Sequence, residues 1–308
     1  MTDLVSFDEL REKALALGWD DVGVTPANIP EEDIQAYKRW VADDNHADLH
    51  YMENTMRCHP QQFFPGAKTA VIFISYYKQP QREFRADAGL VASYARGRKY
   101  HNVHYRRLKK MIRWLEERVG APGIAKPFSD SAPVLEKALA VQAGLGWFGK
   151  NTLLIHRRFG TFTLLSGFFT ILDLSYGVEE LRLPRCGSCT RCLDACPTGA
   201  LENPYQLNAS RCLSYQLIES KEDIPQEIQE KNPGYAFGCD ICQDVCPHNL
   251  RKPLADSADF REDAGAGAYV DQQAVDRFKQ DPESLFGSPL QRQGPDGLQR
   301  NLDSLSRK

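Results

Sequence analysis

No run of apolar residues in this 308-residue chain approaches the roughly 18 that a membrane-crossing helix requires. The opening residues, Met1-Thr-Asp-Leu-Val-Ser-Phe-Asp-Glu9, lack a basic cluster and an apolar stretch, so they do not read as a secretory or twin-arginine leader. Charge bias is missing too. The 38 Lys and Arg stand against 41 Asp and Glu, a net −3 that neither demands nor excludes a polyanionic partner. The seven histidines show no metal-ligand spacing, and no haem-attachment or flavin fingerprint is present. Gly144-Leu-Gly-Trp-Phe-Gly149 spells the dinucleotide fingerprint, but it follows a predicted helix where that motif needs a strand. What remains is a globular protein with 42% hydrophobic and 26% charged residues, expected in the cytoplasm, away from membranes and as a monomer.

Cysteine is scarce everywhere except one stretch. Eight of the nine lie between Cys186 and Cys246. Cys186, Cys189 and Cys192 stand at two-residue gaps, and Cys196-Pro197 follows three residues on, the bacterial ferredoxin spacing. Cys239, Cys242 and Cys246-Pro247 repeat its ending, with Cys212 the spare residue that can complete the second loop. The fourth Cys of such a run ligates the other cluster. The spacing therefore pairs Cys186, Cys189, Cys192 with Cys246 on one 4Fe–4S cluster, and Cys196, Cys212, Cys239, Cys242 on a second. A disulfide framework would need an oxidising compartment, which nothing here indicates. Paired zinc sites could use eight sulfurs but do not call for two Cys-x-x-x-Cys-Pro endings.

Ahead of the cysteines the pattern is mixed α and β. Ser6-Phe-Asp-Glu9 is a capping box for a helix ending at Gly18. Val22 to Thr25 reads as a strand, Pro30 opens a second helix, and Thr69 to Tyr77 is a buried strand. Leu90 to Arg96 reads as another strand. A long helix from about Tyr100 to Val119 buries Leu108, Met111 and Leu115. Its basic face, Arg106, Arg107, Lys109, Lys110 and Arg113, with Arg96, Arg98 and Lys99 before it, is either a solvated surface or a phosphate-binding one. Val134 to Ala143 reads as a helix, and Thr152 to His156 with Thr161 to Leu172 as a hairpin. Behind the cysteines, residues 256–267 read as a linker or surface loop, 285–302 as weakly helical, and the last dozen residues as polar and mobile. Three parts follow: 1–175, 176–255 and 256–308.

Several segments carry a resemblance. Asp130-Ser-Ala-Pro133 with Leu135-Glu136, then Ala143-Gly-Leu-Gly-Trp147-Phe-Gly149-Lys150-Asn151, resemble epoxyqueuosine reductases. So do Ser93-Tyr-Ala-Arg-Gly-Arg-Lys-Tyr100-His101, Arg211-Cys212-Leu-Ser214-Tyr215 and Gly238-Cys239-Asp240. The likeness runs from the first helix to about Asn301.

The resemblance implies a nitroreductase-like α/β (α+β) cobalamin-binding domain, then a ferredoxin-like domain with two 4Fe–4S clusters and a short helical tail. It implies reduction of epoxyqueuosine to queuosine at the wobble base of the Asp, Asn, His and Tyr tRNAs. Reduced cobalamin, a strong nucleophile, would be fed through the clusters by an external low-potential donor. Asp130 matches the family's proton donor, against a plain reading as helix N-cap. Arg57, Ser93, Asn151 and Leu154 would surround the corrin with Asp130, and Cys239 and Asp240 would face it from the cluster side. Tyr215 and Lys221 would meet RNA. Cys58 reads as a buried free thiol. Cobalamin's usual Asp-x-His-x-x-Gly motif is absent, since Asp48-Leu-His50 runs into Tyr51-Met-Glu53. Many such proteins continue into helical repeats beyond the Gly297 to Asn301 region. The rival readings are a reductive-dehalogenase-like reductase, and an electron carrier or cobalamin-handling protein without chemistry of its own.

Overall fold

The computed structural model of the protein describes residues 5–174 and 185–306. The boundary expected between residues 175 and 176 lies outside them. The front half runs α1 (Phe7–Ala16), β1 (Asp21–Pro26), α2 (Glu31–Ala42), α3 (Pro60–Phe63), β2 (Thr69–Tyr76), β3 (Gly89–Val91) and α4 (Tyr100–Val119). It continues with β4 (Ala125–Phe128), α5 (Glu136–Gln142), β5 (Gly146–Phe148), β6 (Leu154–His156) and β7 (Thr163–Thr170).

A four-stranded antiparallel sheet, ordered β1-β2-β7-β4, forms the centre. All eight residues of β2 are buried, because the sheet is covered on both faces. Ala70, Ile72, Ile74 and Tyr76 pack with α2 and α5. Val71 and Phe73 point the other way, onto α1 and α4 through Leu10, Leu108, Met111 and Leu115. The side-chain period of two thus sorts one apolar run into two cores. The capping box forms as expected: Ser6 Oγ accepts the Glu9 N–H at 3.2 Å, and Glu9 accepts the Ser6 N–H at 2.9 Å.

The back half carries α6 (Arg191–Asp194), α7 (Leu213–Ile218), α8 (Gln226–Lys231), β8 (Tyr235–Phe237) and α9 (Ile241–Asp244). β9 (Tyr269–Val270), α10 (Gln272–Gln280) and α11 (Gly294–Ser306) follow. Strand β3 of the front half is the middle of a second sheet, parallel to β8 and antiparallel to β9. Three distant parts of the chain therefore share one hydrogen-bonded unit.

Three expectations are corrected. The strand expected over Leu90 to Arg96 stops at Val91, and Ser93–Ala95 turns into a 3-10 helix. The hairpin expected across Arg157 to Gly160 is reduced to a single bridge between His156 and Gly160. Strand β6 pairs instead with β5, while β7 joins the central sheet between β2 and β4. The tail is ordered as helix α11, with Leu298, Asn301 and Ser304 buried. Segment 256–267 also packs closely. Phe260, 1% exposed, meets the His104 ring at 6.2 Å, and Asp259 pairs with Arg107 at 3.1 Å.

Asn301 explains why the tail holds. Its Nδ2 donates to the carbonyls of Leu217 at 2.9 Å and Ala236 at 2.8 Å, all out of water. Asn301→Ala leaves both carbonyls unpaired and is expected to cost about 2–4 kcal/mol in denaturant unfolding. The exposed Asp303→Ala should stay within about 0.5 kcal/mol of wild type; equal midpoints for the two would remove Asn301 as the staple.

His104 is fully buried between Ser129 Oγ at 3.0 Å and Ser75 Oγ at 3.1 Å. Burial, then the charges of Arg107 and His101, push its pKa down to about 3. The unfolded chain therefore binds a proton below its ordinary value that the folded chain refuses. Stability is full above about 6.5 and falls with acidification, by about 2 kcal/mol from pH 7 to pH 5. A His104→Gln variant should lose that slope, as read from urea midpoints at both pH values.

Candidate active site and cluster centres

The eight cysteines gather as the spacing pairs them. Cys186, Cys189, Cys192 and Cys246 line one cavity of about 210 Å³. Cys196, Cys212, Cys239 and Cys242 act electrostatically on one another as a second group, which Cys192 also reaches. All nine thiols are free, which removes the disulfide reading. Among the described residues no three cysteine sulfurs lie within 4.8 Å of one another. Four thiolates on one zinc would stand about 3.8 Å apart. The quartets are too open for a single zinc ion and fit a larger soft body such as a 4Fe–4S cube. Burial first, and then the neighbouring sulfurs, push up the Cys239 and Cys242 thiols, so a bound cation set is what would hold these thiolates charged.

Local backbone explains the placement. Gly238, at φ +68°, precedes Cys239 against the end of β3, where a Cβ would stand 2.6 Å from that of Ala92. Only glycine admits both the turn and the approach. Just beyond, Asp240 is 2% exposed, and its Oδ2 accepts the Ser93 N–H at 2.7 Å and the Ser93 hydroxyl at 2.8 Å. Asn151 Nδ2 donates to the Cys242 carbonyl at 3.4 Å. Lys150 Nζ donates to the carbonyls of Gly187 at 2.7 Å and Cys189 at 3.0 Å. Ser93, Asn151 and Asp240, expected as corrin contacts, are thus the joint between the front half and the cysteine loops.

Asp130 stands in a different setting. It is not a helix cap: the N-cap of α5 is Leu135, without a side-chain bond. Asp130 has φ +58°, a left-handed conformation unusual outside glycine. Its Oδ2 meets His101 Nε2 at 3.0 Å, and its N–H donates to Glu136 Oε1 at 2.6 Å. The Tyr100 ring stacks on His101 with centroids 4.1 Å apart. The Asp130 side chain is 60% exposed, yet protein surrounds it closely, as on the wall of a cleft. Burial would raise this carboxyl, but the His101 bond and charge, the Tyr100 hydroxyl and the Arg292 charge outweigh it, and the net shift is downward. Glu136 moves the opposite way. Burial and then the Asp130 charge lift it to about 8, against the Asp130 N–H, Arg57 and Lys137.

Arg57 is 6% exposed, and among the described residues its guanidinium makes only two long bonds, to the Ala132 and Tyr51 carbonyls at 3.4 Å, while its Nε meets no partner there. A buried guanidinium so poorly used fits a phosphate or amide oxygen of a large polar cofactor. Tyr51, pushed to about 12 by burial and the Glu219 charge, lies beneath Arg57 with its ring centroid 5.8 Å away. Leu154, 3% exposed, packs in the main core beside this region.

Other expected residues turn inward. Arg96 is 2% exposed and donates to the Val91 and Pro80 carbonyls, and Arg107 is tied to Asp259. That leaves Arg106, Lys109, Lys110 and Arg113 exposed on α4 and Arg98 exposed before it, with Arg98 and Arg106 beside Asp259. Tyr215 donates to Asp48, and Lys221 to the Arg292 carbonyl. Cys58 is buried as expected. No sequence pattern pointed to His101 or Glu136 as partners of Asp130, nor to Arg292, whose charge reaches Asp130 from the far end of the chain. Nor did it foresee His46, His50 and Glu53, whose ligand atoms gather within 4.8 Å.

Residues 57–131 match the family profile described as "Epoxyqueuosine reductase QueG, DUF1730", and residues 185–249 match a 4Fe-4S double cluster binding domain. Epoxyqueuosine reductase of Cellulophaga algicola is 39% identical over 79% of this chain and 78% of its own length. A crystal structure of epoxyqueuosine reductase with a tRNA-Tyr epoxyqueuosine-modified stem loop superposes with a TM-score of 0.84 at 28% identity, covering 97% of this chain and 80% of that one. The Bacillus subtilis enzyme, solved with an aspartate catalytic loop swung out of the active site, gives 0.83 at 27% identity, with the same coverage. Two open sulfur quartets joined to a carboxylate-lined cleft thus occur on a shared fold and a shared sequence, and the chain belongs to the epoxyqueuosine reductase family.

Proposed function

We propose that this protein reduces epoxyqueuosine to queuosine in tRNA, using cobalamin and two 4Fe–4S clusters. The observation that supports the reading is the Ser93–Asp240 joint beside Cys239: Tyr94, next to Ser93, feels the Asp130 and Asp240 charges and meets Tyr100 with ring centroids 6.2 Å apart. Converting the epoxide to the alkene takes two electrons and two protons and releases water. Arg57, Ser93, Asn151 and Leu154 would hold cobalamin, with Cys239 and Asp240 on the cluster side. When bound, it would supply a strongly reducing metal centre, and the clusters would supply its electrons singly.

The chain's own chemistry is proton delivery. A proton held between His101 Nε2 and Asp130 Oδ2 is passed by Asp130 to the epoxide oxygen as charge develops there. Glu136, neutral below about pH 8, accepts the Asp130 N–H and keeps that carboxyl turned into the cleft. The tRNA stem loop bound by the relative makes tRNA the substrate class here. The wobble bases of the Asp, Asn, His and Tyr tRNAs are the finer assignment, and an external low-potential donor supplies the electrons.

The test is anaerobic turnover of an epoxyqueuosine-containing anticodon stem loop by protein loaded with cobalamin and clusters. Asp130→Asn should lower turnover by about 10²–10⁴-fold while its cobalamin and cluster spectra stay intact. Normal turnover in that variant would remove Asp130 as the donor.

A second measurement concerns pH. Once Glu136 ionises, two carboxylates repel across the Asp130 turn, so turnover should fall as pH rises through about 8. Glu136→Gln keeps an acceptor for the Asp130 N–H but cannot ionise, so that limb should move to higher pH. An unchanged limb in Glu136→Gln would show that another group sets it.

A further inference from the structure

The two cysteine quartets are not equivalent in position. The second adjoins the cleft through Ser93–Asp240 and the Asn151–Cys242 bond. The first looks outward. Arg185, Gly187, Ser188, Thr190 and Arg191, threaded between and beside Cys186 and Cys189, are all exposed. Electrons bound for the cleft therefore enter at the first quartet, and the surface around it decides what can deliver them.

That surface is basic and apolar, on a chain whose net charge is −3. Arg185 lies 5.6 Å from the Trp147 ring, and His248 meets the same ring at 5.1 Å. His248 lies close enough to Lys252 and Arg185 to feel both charges. Lys252 Nζ reaches the Arg157 carbonyl at 3.4 Å. In the segment that follows His248, Leu250 is 52% and Leu254 50% exposed, with Arg251 exposed and Lys252 half-buried. Two exposed carboxylates border this surface: Asp194, which accepts the Thr190 hydroxyl at 2.7 Å, and Asp256 beyond Leu254. Cationic side chains around two bare leucines, beside an electron-entry point, match the anatomy of a transient docking site: a charged ring that steers, and a small apolar contact that seats.

Resting on the functional reading above, we propose that this face docks an acidic, soluble protein carrying a one-electron cofactor. Its carboxylates meet Arg185, Arg251 and Lys252, and an apolar edge of its cofactor-bearing face covers Leu250 and Leu254. Each visit oxidises the donor by one electron and reduces the first cluster by one. Two visits supply the pair that the epoxide consumes with two protons. An RNA strand is the weaker occupant, because exposed leucines offer nothing to a phosphate backbone and the cluster loop has no use for one.

The experiment follows cluster bleaching by anaerobic stopped flow in protein loaded with clusters, with no tRNA present. The reductants are a photoreduced flavodoxin of acidic surface and, for comparison, dithionite. Wild type should be reduced by flavodoxin at a rate that falls steeply with salt. The pair Arg251→Glu/Lys252→Glu, and separately Leu250→Gln/Leu254→Gln, should each slow the flavodoxin rate at least tenfold at low salt. Dithionite rates, iron content and stem-loop binding should stay as in wild type. An unchanged flavodoxin rate in both pairs overturns the proposal, as does an equal loss with dithionite, or a loss of stem-loop binding in place of the flavodoxin effect. Cluster reduction does not require the substrate. Patch-dependent reduction without epoxyqueuosine turnover would therefore sink the functional reading and leave the docking face standing.

Discussion

Asp240 places a carboxyl where water does not reach, one residue from Cys239. Burial raises it on balance, against the Ser93 N–H, the charge of Arg96 and the Ser93 hydroxyl. Arg96 is itself fixed by the Val91 and Pro80 carbonyls, so the groups around Asp240 cannot drift. A buried polar group of this kind contributes little net stability when paired and costs about 1–3 kcal/mol when its partner is lost. Its effect is on geometry. Ser93 follows β3, Asp240 follows β8, and those strands are already paired through their backbones. The side-chain bond and the strand pairing fix the same separation twice, between the second quartet and the cleft it serves.

The cleft applies the same physics to a different end. Asp130 and Glu136 are joined through a backbone N–H, and their environments push them apart: Asp130 down toward its His101 partner, Glu136 up to about 8. Two carboxylates that differ in this way can divide labour, one moving a proton and the other staying neutral to hold the turn. Asp130 also sits at φ +58°, which costs on the order of 1–2 kcal/mol for a residue with a Cβ. The loop keeps that conformation through a small number of named bonds, to Glu136 and His101. Its position is therefore sensitive to the protonation of either neighbour.

Much of this was legible in the sequence where the code is local. Metal ligands at fixed gaps must be near one another whatever the rest of the chain does, so both quartets could be paired from spacing. The capping box, β2 and α4 were legible for the same reason: three-residue caps and apolar periods of two or 3.6 are properties of a short segment. What failed were questions of partner. Strand β6 has the same composition whether it pairs with β5 or β7; Gly146 decides, because a Cβ there would come 2.2 Å from the Ile155 carbonyl. Arg96 reads as one more surface cation until its carbonyl acceptors are known. Phe260 is a single aromatic in a polar stretch, too weak a signal to say that the segment packs on His104. The Asp130–His101 contact spans 29 positions, and no pattern announces it.

The interleaving of the cysteines also ties cofactor loading to the shape of the cleft. Each group of sulfurs draws on both ferredoxin-like runs, so a cluster held by either group would need both runs in place. The apolar cluster around them is small, centred on Leu213, Leu217, Ile224 and Ile228. Burial and mutual repulsion hold the thiols up, so bound metal would be what keeps these sulfurs deprotonated. Strand β8 lies inside the same segment and completes the sheet on β3. Loading the clusters therefore also seats β8, positions Asp240 under Ser93 and finishes the wall that faces Asp130. An incompletely loaded chain would lack the geometry of the cleft as well as the electrons, and a single assembly event couples the redox path to the site it feeds.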